Sequence, residues 1–134
     1  MAAGPLGPPA VVLDTNILLL PFTQGTRIEE QLEALLGAHT LHVPTSVVSE
    51  LKMLMQNRGA TGRAAKAALA YAARFASEPT GLMGDDGILQ VARRLGGIVA
   101  TNDRTLQAEC ERSGLRVVVA REEGRLAFKG SGSA

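Results

Sequence analysis

Four short stretches of the chain place carboxylates where they could do chemistry: "LDTN" around Asp14, "VPTSVVSEL" ending beside Glu50, "GDDGILQVA" with Asp85 and Asp86, and "VATNDRTL" with Asp103. Hard carboxylate oxygens are the ligands that Mg²⁺ and Mn²⁺ prefer. Each acid taken alone also has a plainer account. Asp14 ends an apolar run and reads as a turn acid that hydrogen-bonds local N–H groups, with Thr15 or Asn16 helping. Thr101, Asn102 and Asp103 are all good helix N-caps. A helix needs one cap, however, and here three candidates stand in a row.

Helical geometry separates the other acids. On a wheel of about 100° per residue, Val47, Val48, Leu51, Leu54 and Met55 fill one arc, and Glu50 lies roughly 40° beyond Leu54. It therefore sits at the edge of the apolar face, away from Ser49 and Gln56. A snorkelling edge residue and a site acid are both consistent with that place. Asp85 falls inside the apolar arc that holds Ile88, Leu89, Ala92 and Leu95, whereas Asp86 falls beside Arg93 on the solvent side. A carboxylate aimed at the core side is costly or neutralised unless something compensates it. Asp85 is thus the expected ligand, with Asp86 a helix-start charge or outer helper.

The elements that must position these acids alternate. Strands are expected at Ala10–Leu13, Leu41–Val43, Ile98–Ala100 and Val117–Val119, with an edge strand at Leu126–Phe128. Helices are expected at Arg27–Leu36, Thr45–Gln56, Arg63–Phe75 and Asp85–Leu95, and from a cap at Thr101 or Asn102 to about Arg112. Ile17–Leu20 reads as apolar chain turning back against the sheet, Asn57–Gly62 as a break, "EPTGLMG" as a loop or very short strand and "REEGR" as a turn. Short, continuously apolar strands between helices indicate a parallel sheet covered on both faces. Ligands in such folds bind beyond the carboxyl ends of the strands, where Asp14 and Asp103 both fall. Clustered carboxylates repel one another and raise their pKa values unless a cation sits among them. Four acids converging on one rim therefore favour a metal site.

The 134 residues fit one domain, with residues 1–9 a disordered Gly/Pro-rich arm, 10–128 the domain and 129–134 a flexible tail. Apolar residues make up 46% and aromatics 3%, so the core must be aliphatic and alanine-rich. No run is long enough to cross a membrane, and the N-terminus lacks the pattern of a secretory signal. The single Cys110 cannot form an internal disulfide, and a reducing, cytoplasmic setting is expected. Net charge is +1, but thirteen of the fourteen basic residues lie from Lys52 onward. With four acids occupied by metal, nine acids face fourteen bases, an excess suited to a phosphate backbone.

Taken in order, these motifs resemble those of the PIN-domain nucleases over about residues 10 to 128. "LDTN", the Asp pair before an apolar residue, and "VATND" with Leu106 look closest to archaeal PIN proteins and to the small-subunit ribosomal-RNA processing nucleases. They look less like the toxin subunits of toxin–antitoxin pairs. The zinc ribbon of one related processing nuclease is absent. The resemblance implies a PIN-like three-layer α/β/α sandwich around a central parallel sheet, Mg²⁺ or Mn²⁺ as cofactor, and RNA (single-stranded, or structured rRNA) as substrate. It also implies frequent homodimers, with an assembly factor or an antitoxin as a protein partner. It carries catalysis to Asp14, Glu50, Asp85 and Asp103, metal binding to Asp14, Asp85 and Asp103, and support to Asn16, Thr101, Asn102 and Asp86. Gly87 departs from the pattern, where a larger residue is commoner, and is expected to loosen the helix start.

The expected function is metal-dependent hydrolysis of RNA in RNA processing. The alternatives are a toxin ribonuclease and a catalytically inert RNA-binding PIN module. Arg58, Arg63 and Lys66 form either a phosphate track or a solvated helix face. Tyr71 and Phe75, four apart on a helix, are expected in the core or at a dimer seam, so base-specific recognition has little support. His39 and His42 flank a strand away from every acid motif and read as structural.

Overall fold

The computed structural model describes residues 7–130. Of the expected arm (1–9) and tail (129–134), residues 1–6 and 131–134 lie outside the described residues. Of the remainder, the Pro9 carbonyl accepts from the Thr40 N–H at 3.0 Å, and the Lys129 N–H donates to the Val117 carbonyl at 2.9 Å.

The chain runs β1 (Ala10–Leu13), α1 (Thr15–Thr23), α2 (Ile28–Leu36), β2 (Thr40–Pro44), α3 (Thr45–Leu54), α4 (Gly59–Ala72), β3 (Ala76–Glu78) and α5 (Gly84–Leu95). It continues through β4 (Ile98–Ala100), α6 (Arg104–Arg112), β5 (Val117–Ala120), a 3₁₀ turn at Glu122–Gly124 and β6 (Leu126–Phe128). The six strands form one sheet in the order β3-β2-β1-β4-β5-β6. All neighbours are parallel except β5 and β6. This is a mixed α/β architecture around a mostly parallel central sheet. Among the described residues no helix is long and apolar enough to cross a membrane.

The order of strands fixes where a site can form. From β1 the chain steps through β2 to β3 at one edge; from β4 it steps to β5 toward the other. Right-handed crossovers place the connecting helices of the two halves on opposite faces. The helices that follow β1 and β4 therefore diverge and leave a crevice at the carboxyl ends of these two strands. Val11, Val12 and Leu13 are fully buried between the layers, as are Val99 and Ala100 beside them. Their apolar runs exist because both faces of a central parallel strand are covered.

Several elements differ from the sequence reading. Thr15–Thr23 is a helix, not apolar chain lying against the sheet, and buries Ile17, Leu18 and Leu20. Its near-uniform apolarity and an internal Pro21 hide the helical period. The helix expected from Arg63 starts at Gly59. Gly62 belongs inside it because a Cβ there would stand 1.9 Å from the Asn57 carbonyl oxygen. Strand β3 precedes "EPTGLMG" and ends on its glutamate; it is polar and partly exposed at the edge, so no apolar signal marks it. The cap of α6 is Asp103, not Thr101 or Asn102. Tyr71 and Phe75 stack edge to face at 4.9 Å between ring centres, and Phe22 adds a second such contact with Tyr71.

Leu13 both fills the core and carries the chain to Asp14. Leu13→Ala should cost about 2–5 kcal/mol of unfolding free energy, measurable by urea denaturation. Met53→Ala, at a side chain 70% exposed, should change stability by less than about 0.5 kcal/mol.

Candidate active site

Asp14 stands at the end of β1 and is the N-cap of α1. Its N–H donates to the Ala100 carbonyl, which holds the end of β1 against the end of β4. The side chain is buried, and both carboxylate oxygens are engaged. The Thr15 N–H donates to Oδ1 at 2.7 Å, and the Thr101 hydroxyl donates to Oδ2 at 2.5 Å. Thr101 directly follows β4 and is fully buried. Its hydroxyl oxygen also accepts the Asp103 N–H at 3.0 Å, while Asp103 Oδ1 accepts the Leu106 N–H and caps α6. On the other side, the Thr15 hydroxyl donates to Glu50 Oε1 at 2.7 Å. One chain of hydrogen bonds thus links Glu50, Thr15, Asp14, Thr101 and Asp103 across three elements.

The three polar residues after β4 have different tasks. Thr101 bridges Asp14 and Asp103, Asp103 caps, and Asn102 Oδ1 accepts the Ala120 N–H at 2.8 Å, tying this loop to β5. Thr15 was missed as a site residue. Its signal was available: a threonine beside a strand-end acid has both an N–H and a hydroxyl to offer. The neighbouring Asn16, expected to assist, is exposed, and its side chain makes no hydrogen bond among the described residues.

The fourth acid comes from α5. Asp85 is half-buried and Asp86 exposed. The Asp85 carboxylate accepts no hydrogen bond among the described residues. Burial pushes its pKa up, and the charges of Asp103, Glu50 and Asp86 push in the same direction. Burial also raises Asp14, against the lowering effect of its Thr101 and Thr15 hydrogen bonds, with Asp85 and Glu50 adding repulsion. The four acids therefore share one electrostatic environment. As they stand, no three metal-ligating side chains among the described residues lie close enough to enclose an ion. Cys110 lies near the same acids; burial raises its thiol to about 11, against the opposing effect of Arg93, so it stays protonated and unreactive.

Gly87 reverses its expected role. It is buried in the first turn of α5, and a Cβ there would meet the Leu82 carbonyl oxygen at 2.6 Å and Ser46 Oγ at 2.7 Å. Ser46 is buried at the start of α3, the helix that carries Glu50. The missing side chain lets the start of α5 press against α3, so Gly87 tightens the placement of Asp85 relative to Glu50 and does not loosen it.

Other sequence candidates stand apart from this network. Arg58, Arg63 and Lys66 are exposed at the start of α4 and along it, with no hydrogen bond to the acids. His42 Nδ1 lies 2.7 Å from Glu78 Oε2, and His39 Nδ1 lies 2.9 Å from the Gly37 carbonyl oxygen. Both histidines are engaged in local structure.

Comparison with known proteins identifies relatives of the chain and of its fold. The family described as a PIN like domain matches residues 11–123. Ribonuclease VapC9 from Archaeoglobus fulgidus is 30% identical over 116 residues, covering 86% of this chain and 85% of that protein. The solved structure of the PIN domain endonuclease Utp24 superposes with a TM-score of 0.74 at 25% identity, covering 92% of this chain and 94% of that one. A domain of a functionally unknown protein from Methanocaldococcus jannaschii shares the fold, with a TM-score of 0.62 at 20% identity over 84% and 91% of the two chains.

Two predictions follow from the packing and charge of the acids. Gly87→Ala should cost about 1–3 kcal/mol by overpacking, measured by denaturant unfolding. Asp85 keeps its proton to higher pH when folded than when unfolded. Between the ordinary value of 3.8 and the raised one, the folded state binds more protons, so stability falls as pH rises, and the penalty persists above that window. With chelator present, Asp85→Asn should therefore melt above the wild type at pH 7, and the difference should shrink as pH falls toward 3.8. A variant that melts lower at pH 7 would contradict this electrostatic account.

Proposed function

The chain belongs to the PIN like domain family, and we propose that it is a divalent-metal-dependent endoribonuclease that cuts RNA during RNA processing. The observation that carries this reading is the acid network at the crevice between β1 and β4, where buried Asp14 and half-buried Asp85 both have raised pKa values. Its donor set of carboxylates and threonine hydroxyls, without thiol or imidazole, fits Mg²⁺ or Mn²⁺. Asp14, Asp85 and Asp103 would hold the ion, with Glu50 beside them. Bound there, the ion supplies an acidified water and offsets charge on the phosphodiester.

The chain's own residues supply the positioning. Thr15 and Thr101 fix both oxygens of Asp14 from opposite sides, so its carboxylate presents one geometry. Thr15 holds Glu50, and Thr101 orders the backbone that presents Asp103. Asp85 spends no oxygen on a donor among the described residues and would serve a ligand. Arg58, Arg63 and Lys66 offer exposed cations for phosphates. The ribonuclease and endonuclease names of the relatives support RNA hydrolysis as the activity. Phe22 is 43% exposed but packs against Tyr71, which supports recognition of the backbone over stacking on bases.

The test is incubation of single-stranded RNA with Mn²⁺. Wild type should cleave, and Asp14→Asn should not. Thr101→Val, which removes the bond to Asp14 and the acceptor of the Asp103 N–H but deletes no acid, should lower activity or apparent Mn²⁺ affinity about 10–100-fold. Absence of cleavage by wild type across single-stranded and structured RNA, with binding retained, would assign an inert RNA-binding module instead. Growth arrest on expression, relieved by a small neighbouring reading frame, would assign a toxin role.

A further inference from the structure

Beyond Asp103, on the side of the crevice away from α4, lies an open groove of about 550 Å³. Asn102, Arg104 and Gln107 form one wall, and the end of β5 with Arg121 and Lys129 forms the other. Among the described residues three cations and no acid line it, in a chain whose net charge is only +1. We infer that this groove is a phosphate subsite for the RNA backbone, formed by Arg104 and Lys129 with Arg121. In it the strand continues past the scissile position.

Three observations carry the assignment. The groove adjoins the acid centre, because Asn102 and Arg104 flank Asp103 in sequence and line the groove. Its walls are fixed: Asn102 Oδ1 accepts the Ala120 N–H at 2.8 Å, Gln107 Nε2 donates to the Thr101 carbonyl at 3.3 Å, and Arg121 donates to the Phe128 carbonyl. Arg104 is exposed and makes no ion pair among the described residues, so its guanidinium is available to an anion. Lys129 is held by Glu111 at 3.1 Å, a surface pair that costs little to exchange for a phosphate. A second patch of cations on α4, at Arg58, Arg63 and Lys66, has no such enclosing walls described around it. A basic groove whose wall carries both chain neighbours of Asp103 is an arrangement that suits a polyanion. The acids act at one phosphate, while cations on a neighbouring phosphate offset their repulsion.

This inference rests on the nuclease reading, and the two can fail separately. The experiment measures binding of fluorescein-labelled oligouridylate by anisotropy over a potassium chloride series, in the full-length Asp14→Asn background. Arg104→Gln and Lys129→Gln should each weaken binding about threefold and flatten the slope of log affinity against log salt by about 0.7. Arg112→Gln, which removes the same charge from the far end of α6, should do neither. Unchanged binding in both groove variants, or an equal loss in Arg112→Gln, would overturn the groove while leaving cleavage by wild type intact. A parent that binds no RNA, together with a wild type that cuts none, would overturn the nuclease reading and the groove with it.

Discussion

The hydrogen bond from the Thr101 hydroxyl to the Asp14 carboxylate joins the ends of the two central strands, and the candidate site depends on it. Strands β1 and β4 meet at the point where the order of the sheet reverses. Their following helices leave in opposite directions, so no crossover helix closes the crevice above them. An acid placed there would be buried without a partner. Thr101 supplies one donor from β4 and Thr15 another from the start of α1. The same two threonines reach outward to Asp103 and Glu50. The position of three acids is thus set by short contacts among residues that the sheet itself brings together.

Those contacts do not remove the charge problem. Asp14 still has a raised pKa despite two donors, because burial outweighs them, and Asp85 has no donor among the described residues. A protein selected only for stability would replace such acids with apolar or amide side chains, since uncompensated buried charge costs free energy. Such acids together at a strand-end crevice are the physical mark expected of a site that trades stability for chemistry. Gly87 shows the same priority in packing: the side chain is absent where α5 must press against α3 to bring Asp85 toward Glu50.

Much of this was legible in the sequence, for identifiable reasons. The strands bearing Asp14 and Asp103 are short, apolar and flanked by polar residues, so their ends could be placed to the residue. The division of Asp85 from Asp86 followed from helical periodicity, and the structure shows one half-buried and the other exposed. What escaped was of two kinds. Helix α1 escaped because a uniformly apolar segment carries no period and Pro21 suggests a break; β3 escaped because an exposed edge strand has no apolar pattern. The bridging roles of Thr15 and Thr101, and the reason for Gly87, depend on contacts between segments far apart in the chain. Residue type announces a donor or a small side chain, but only the fold shows what it meets.

The central claim is that Asp14, Asp85 and Asp103, with Glu50 beside them, form one divalent-cation site at the β1–β4 crevice. A crystal structure of the protein soaked with Mn²⁺, read by anomalous scattering at the manganese edge, tests it most directly. Anomalous density is expected within coordination distance of the Asp14 and Asp85 carboxylates, with the Asp14–Thr101 hydrogen bond retained. Manganese bound elsewhere on the surface, with the crevice free of anomalous density at saturating Mn²⁺, would contradict it.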